Sequence, residues 1–517
     1  MTAATARTAQ PVSQTKSFAT VFLIELWERF GFYGMQALIV FYMVQRLNMD
    51  DTSANLVWGA ASALIYVAPA VGGWVGDRIF GTRRTMLTGA AILSIGYGLI
   101  TLPTENVNFL FAALGVIVVG NGLFKPNAGN LVRKIYDGDD AKIDSAFTLY
   151  YMAVNIGSAV SMMLTPLVKD WVNVAMANEF GWHAAFGLCC AGLVVGLVNF
   201  FFMRASMAHI GSDPDEKPFD VMGLLKVLGV GVLCVGAAIV ILQNRDIARG
   251  FVWTAGIAML GIFGYLIATS ERHEKAGLIA ALVLTIQTIF FFIFYQQMST
   301  SLSLFALRNV DPAMNVFGWH AFDWLPAQYQ ALNPIWIMIL SPVLAFAYTW
   351  AGKRGKDLSI AGKFALGFAV VAIGFFVYGM AGSYADANGR ASTWVMIWGY
   401  GLYSLGELLV SGLGLAMIAR YVPARMGGFL MGAYYVGVGI SQYLGGIVAN
   451  YAAIPSDIKD PIESLHIYTA LFTKLGYVGI ACTVVALAVL PLMKKLSAQH
   501  HSGSDAPATP GELATQQ

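Results

Sequence analysis

The chain has 517 residues, 57% of them hydrophobic and only 12% charged, with a formal net charge of +2. Soluble globular domains carry roughly a quarter of charged residues, and the mean hydropathy here is +0.65, so the composition excludes a soluble fold and points to a single membrane domain. A net charge this small argues for neither a nucleic acid nor an acidic partner.

Residues 1–18 are polar and read as a disordered tail. The apolar segment that follows carries Glu25, Glu28 and Arg29, three charges that the core of a cleavable signal would not hold. A bilayer core about 30 Å thick needs about 20 apolar residues per helix. With charged loops as breaks, about fourteen spans are expected, at 19–47, 53–77, 85–103, 107–134, 144–170, 182–204, 221–242, 250–270, 277–306, 328–351, 359–382, 393–421, 427–451 and 466–494. The alternating segments of about ten residues that mark a membrane barrel are missing, so strands are not expected. The fold class is therefore an all-α membrane protein. From 497 to 517 the chain turns to Ser, Ala, Pro, Gly and Gln and reads as a second disordered tail. The cysteines, Cys189, Cys190, Cys234 and Cys482, lie in apolar runs without metal-ligand spacing and read as small packing residues. No metal is expected.

Alternate loops are rich in bases. Arg78, Arg83, Arg84, Arg133, Lys134, Lys142, Arg204, Lys217, Arg272, Lys275, Lys353, Arg354, Lys356, Arg420, Arg425, Lys494 and Lys495 fall on one side, with the N-terminal Arg7 and Lys16. The opposite loops hold Arg46, Lys169, Arg245, Arg249, Arg308, Arg390 and Lys459. A split of about 20 against 7 places the richer side, and both termini, in the cytoplasm.

The loop Gly76-Asp77-Arg78-Ile79-Phe80-Gly81-Thr82-Arg83-Arg84 is a tight turn with one acid and three bases. It can clip helix ends together, or be an ordinary positive loop. It resembles the loop signature of the major facilitator superfamily, and Gly352-Lys353-Arg354-Gly355-Lys356-Asp357 is a degenerate counterpart. The resemblance implies the major facilitator fold: six-helix bundles at 19–204 and 276–496, with an inserted helix pair and its linkers at 205–275.

Ionisable groups inside spans cost about 2.5–3.5 kcal/mol each at a helix centre and must face one another or a wet cavity. In the first span Glu25, Glu28, Arg29, Phe32, Tyr33 and Gln36 fall within an arc of roughly 140°. Glu25 and Arg29 are one turn apart and can pair. An internal ion-pair staple would account for part of this stripe; a cavity wall accounts for all of it. Lys125 follows a long apolar run and precedes Pro126, and a buried Lys needs an anionic partner, for which Glu25 and Glu28 are available. Tyr151 and Asn155 are one turn apart, and Glu407 is the one acid of its span, with Tyr403 and Ser411 a turn to either side. Asn333, before Pro334, is a site residue or a helix cap.

Glu25-Leu26-Trp27-Glu28-Arg29-Phe30, Phe124-Lys125-Pro126-Asn127, Tyr150-Tyr151-Met152-Ala153-Val154-Asn155-Ile156-Gly157 and Gly406-Glu407-Leu408-Leu409-Val410-Ser411 resemble the signature blocks of the proton-coupled oligopeptide transporter family, bacterial type, from about 19 to 495. The resemblance implies import of di- and tripeptides with protons by alternating access. The drive would be the proton gradient, with no cofactor and no obligate protein partner beyond the bilayer. It implies that Arg29 and Lys125 face the peptide carboxylate and that Glu407, with Asn155 and Asn333, faces the ammonium. Tyr33, Tyr66, Tyr151, Ser411 and Tyr434, which stands where a Trp is expected, would line side-chain pockets. Glu25 and Glu28 would exchange the proton against Lys125. Many relatives carry an Arg at Gln36 and an acid in the stretch Phe292-Ile293-Phe294-Tyr295-Gln296-Gln297; here both gate partners, Gln36 and Gln296, are neutral. A carrier of the same fold for nitrate, an amine or a drug is the alternative. Zinc-protease, nucleophile-elbow and phosphate-loop motifs are missing, so an enzyme is not expected.

Overall fold

The computed structural model describes residues 13–176, 179–355, 358–422, 424–455 and 457–504. Its helices follow one another as α1 (Gln14–Phe41), α2 (Asp51–Val67), α3 (Pro69–Val75), α4 (Thr82–Ile100), α5 (Val107–Ile135), α6 (Asp140–Met176), α7 (Gly181–Met203), α8 (Asp213–Glu216), α9 (Val221–Gln243), α10 (Arg245–Thr269), α11 (Arg272–Gln296), α12 (Ser301–Asn309), α13 (Leu332–Lys353), α14 (Ile360–Gly379), α15 (Thr393–Tyr421), α16 (Ala424–Ala449) and α17 (Pro461–Ser504). Among the described residues ten helical segments are long and apolar enough to cross a membrane. The other expected spans fall on α1, α4, α15 and α16; α1 carries Lys16, Glu25, Glu28 and Arg29, and α4 opens on Arg83 and Arg84.

Two expectations are corrected. Residues 14–18 and 497–504, which composition assigned to polar tails, are helical: α1 begins at Gln14, held down by a hydrogen bond from Ser17 Oγ to the Ser206 carbonyl (2.6 Å), and α17 runs on to Ser504 through helix-tolerant Ala498 and Gln499. Residues 1–12 and 505–517 lie outside the described residues, as do Lys356 and Asp357 of the second loop motif. Strands do occur, as a hairpin of β1 (Ala313–Val316) and β2 (Trp319–Asp323) between α12 and α13. It lies beyond the apolar spans, where the pattern of buried periods gives no signal.

Helices α1, α4, α5, α6 and α7 pack on one another, with α3 against α5; α11, α14, α15 and α17 form a second group, with α13 on α15 and α16 on α11. The inserted pair spans them, α9 lying on α5 and α2, and α10 on α16 and α11. Between the groups, α2 and α16 approach almost backbone to backbone. A Cβ on Gly446 would stand 2.6 Å from the Asn55 carbonyl oxygen, and one on Gly439 2.8 Å from that of Ala63.

The 76–84 loop does clip helix ends. Gly76–Phe80 closes as a π-helical turn, and Gly81 then takes φ +101°. Asp215 of α8 accepts from the backbone N–H of both Arg83 (3.0 Å) and Arg84 (3.2 Å), while Asp77 accepts from Thr82 and Asn130. Arg83 donates to the Met207 carbonyl and Arg84 to that of Pro214, whereas Arg78 is exposed. The loop thus ties α4 to the segment leading into the inserted pair. Gly81→Ala places a side chain at positive φ and a Cβ 2.4 Å from Asp215 Oδ1. It is expected to cost about 1–3 kcal/mol, read as a lowered melting temperature of the purified protein; an unchanged value would refute the clip.

Candidate functional site

Glu25, Glu28 and Arg29 lie on successive turns of α1 and are all but inaccessible, at 2%, 0% and 3% exposure. One guanidinium serves both carboxylates: Arg29 Nε donates to Glu28 Oε2 and stands 3.4 Å from Glu25 Oε1. The match is incomplete. Among the described residues Glu25 Oε2, Glu28 Oε1 and Arg29 Nη2 are buried without a hydrogen-bond partner, although a buried polar atom without one costs roughly 1–3 kcal/mol. The guanidinium also lies 5.2 Å from the Phe32 ring centroid and 6.0 Å from that of Tyr33.

Lys125 projects from α5 one residue before Pro126. Its Nζ stands 4.9 Å from the centre of the Tyr66 ring, a cation–π contact, and Glu25 and Glu28, the acids expected to face it, lie within its electrostatic reach without a direct ion pair among the described residues. Arg29 is the base in direct contact with the two glutamates, through one oxygen of each. One turn before Lys125, Asn121 is buried, and neither of its amide atoms bonds to another described residue.

From Tyr66 a series of rings crosses to the other group of helices. Tyr66 lies 6.3 Å from Phe292, Phe292 5.4 Å from Tyr295, and Tyr295 6.2 Å from Tyr403, centre to centre. Tyr403 is one turn before Glu407, whose Oε2 accepts from Asn333 Nδ2 at 2.6 Å; the same amide donates to Ser404 Oγ. Asn333 is therefore a partner of Glu407, not a helix cap. Tyr33 and Tyr66 lie within the electrostatic reach of both Arg29 and Glu407, and Tyr151 within that of Glu407. Asn155 is turned to its own helix, donating to the Tyr151 carbonyl (2.8 Å). Ser411 is half-buried on α15, and Tyr434 is buried against Tyr435. The site is thus a charge-balanced cluster of two acids and two bases on α1 and α5 and a single carboxylate on α15, joined by an aromatic wall. Tyr403 stood out from sequence beside Glu407; Phe292 and Tyr295 of that wall did not, because they read as part of one apolar run.

Gln36 and Gln296 are buried, and no hydrogen bond joins them among the described residues. The charged contact at this end lies elsewhere. Arg308 of α12 holds Asp51, at the start of α2, with two bonds of 2.6 and 2.8 Å; Arg308 also donates to Tyr468 Oη, and Asp51 accepts from Ile454 N–H. Trp58 donates to Ser299 Oγ, Asn55 to Asn450 Oδ1, Gln330 to the Ala37 carbonyl and Gln328 to that of Met163. All these contacts between the groups lie toward the end with the hairpin. Sequence reading passed over Asp51 and Arg308 because each sits singly at a helix end, and only the folded topology sets them opposite.

The sequence pattern of the POT family matches residues 83–463, about three quarters of the chain. The chain is 40% identical over 486 residues to dipeptide and tripeptide permease B of Aliivibrio fischeri (94% of this chain, 96% of the relative). It is 40% identical over 484 residues to dipeptide and tripeptide permease A of Salmonella typhimurium (94% and 93%). A crystal structure of tetrameric PepTSo2 superposes with a TM-score of 0.86 at 64% identity, covering 94% of this chain and all of that one. The chain belongs to the POT family, transporters of the major facilitator fold.

A bidentate ion pair with one partner at 3% exposure is costly to break from one side. Asp51→Asn and Arg308→Gln are each expected to loosen the hairpin end. A maleimide probe on Ser303→Cys, in a background without native cysteines, should react about tenfold faster, as a loss of ~1.4 kcal/mol would give. Exchanging the two charges should restore the slow rate. Equal rates in all forms would remove the pair from closure.

Proposed function

We propose that this chain imports di- and tripeptides together with protons across the inner membrane. The observation that carries the reading is Glu407, a carboxylate without a countercharge among the described residues, set across an aromatic wall from the bases Arg29 and Lys125, one of which keeps a free donor. A peptide is a zwitterion whose charges are separated by its backbone. Arg29 Nη2, unpaired and buried, suits the terminal carboxylate, with Lys125 beside it. Glu407, oriented by Asn333, suits the ammonium. Tyr33, Tyr66, Tyr151 and Ser411 supply apolar faces and hydroxyls to side chains of differing size, and Tyr434 backs that surface. A cargo with a single charge, such as nitrate or an amine, would leave one pole unpaired, which disfavours the alternative cargo.

The proton coupling follows from charge balance. Glu25 and Glu28 match Arg29 and Lys125 in charge. A peptide carboxylate bound there adds a negative charge in a dry site, and a proton taken up on one of the glutamates restores the balance. Fourteen crossings, bundles at 19–204 and 276–496 around the pair at 205–275, and cytoplasmic termini complete the reading. The packing of α1 near Ser206 and the basic loops at that end support the orientation. The hairpin end is then periplasmic and closed, and Asp51–Arg308, with neutral Gln36 and Gln296 packed inside it, forms its latch.

Uptake of labelled dialanine into liposomes, with and without an inward proton gradient, tests the whole reading; gradient-independent or absent uptake refutes it. Glu407→Gln is expected to abolish uptake in a folded protein, and an N-acetylated dipeptide to compete poorly. Normal uptake by the variant would take Glu407 out of the ammonium role.

Lys125→Ala is expected to lose accumulation driven by the gradient yet to keep peptide exchange between equal pools, which needs no net proton movement. Accumulation equal to the parent's would place the switch elsewhere.

A further inference from the structure

A groove of about 670 Å³ opens on the flank of the molecule where α10, α16 and the start of α2 meet. Its lining is sorted along its length. Arg245, Arg249, Val252, Gly256, Ile257 and Leu260 share one face of α10 and carry the groove from cations to hydrocarbon. Across it stand Ile440, Leu444 and Ile447 of α16, with Tyr443 and Asn450 at the arginine end and Leu56 of α2 closing the floor. The strip from Arg245 to Leu260 rises ~22 Å, more than the ~15 Å of one half of a bilayer core. Trp253 and Ile257 are 64% and 69% exposed, so the groove opens sideways, away from the central cavity.

The polar end has capacity to spare. Arg245 reaches Ser53 Oγ, whose own hydroxyl is given to Asp50. Arg249 is held only loosely, 3.7 Å from Asp246, both side chains being largely exposed. Two guanidiniums one helical turn apart on the same face, above an apolar trough, have the chemistry of a phosphate clamp over a slot for an acyl chain.

We propose that this groove is a binding site for an anionic phospholipid, its phosphate between Arg245 and Arg249 and its acyl chain along Gly256, Ile257 and Leu260. Charge complementarity selects this occupant over a wholly apolar one. The arginines sit where α10 begins, at the level of Ser53 and Asn450, and the apolar stretch runs from there toward the middle of the helix. The site is independent of the cargo carried at the centre. Its walls nevertheless come from both groups of helices, α2 on one side and α16 on the other, joined by the inserted α10. A lipid seated there touches the seam along which the groups meet, and it gives the insertion a role other than spacing.

The test is native mass spectrometry of the full-length protein titrated with phosphatidylglycerol and, separately, with phosphatidylethanolamine. The parent should retain about one phosphatidylglycerol at concentrations where phosphatidylethanolamine is lost. Arg245→Gln/Arg249→Gln should lower that occupancy at least fivefold. Gly256→Phe, which fills the slot without touching charge or the neighbouring bonds, should do the same; a Cβ there meets only Ile440, at 3.6 Å. Arg390→Gln, a base at the same end of the molecule but away from the groove, should leave it unchanged. Retention by both groove variants, equal retention of the two lipids by the parent, or an equal loss in Arg390→Gln would overturn the proposal. So would variants that change only the number of copies in the particle, since the groove would then be an interface between copies.

Discussion

A charge in hydrocarbon has to be answered inside the protein, and α1 carries Glu25, Glu28 and Arg29 within two turns. Left facing lipid, the three would cost on the order of 10 kcal/mol, comparable to the whole stability of many domains. This constraint fixes α1 in the interior, with α6 and α7 packed against it and α5 bringing Lys125 alongside. The remaining helices can then be understood as walls around a polar strip that cannot be turned outward. Because the carboxylates outnumber the guanidinium that holds them, the cluster is left with unused bonding capacity. A staple meant only for stability would have been built closed.

The second group of helices answers that cluster with a different device. Glu407 has an amide partner in place of a countercharge, so it stays available to a cation. The aromatic series from Tyr66 to Tyr403 fills the distance between the poles with surfaces that tolerate many shapes. Fixed charges at the ends and adaptable faces between them give a site selective for backbone and permissive of side chain.

The sequence revealed most of this because intramembrane charges are rare enough to stand out singly. The helix positions followed from apolar run length, the stripe on α1 from its 3.6-residue period, and Glu407 from being the one acid in its span. Features that depend on which helix ends meet could not be read. Asp51 and Arg308 are 257 positions apart in the chain and look like ordinary loop charges. Sequence likewise holds the inventory of acids but not which base touches them: Arg29, on the same helix, contacts Glu25 and Glu28 directly, and Lys125 feels both from a longer range. Tyr295 and Phe292 were hidden in a uniformly apolar run, where periodicity carries no contrast. The ends of α1 and α17 were missed because tertiary bonds such as Ser17 to Ser206 order a polar stretch that composition alone leaves free.

The close approach of α2 and α16 has a mechanical consequence. Where Gly59, Gly439 and Gly446 bring backbones within van der Waals contact, few side-chain rotamers must change for one helix to tilt over the other. Such a contact behaves as a rolling bearing: the line of touch can migrate along the helices while their separation stays constant. Interlocked side chains would instead have to be unmeshed and remeshed at every cycle, with a barrier each time. A transporter that alternates between two openings gains from a fulcrum made of backbone, and the density of glycine on α16 can be understood as the surface finish of that bearing.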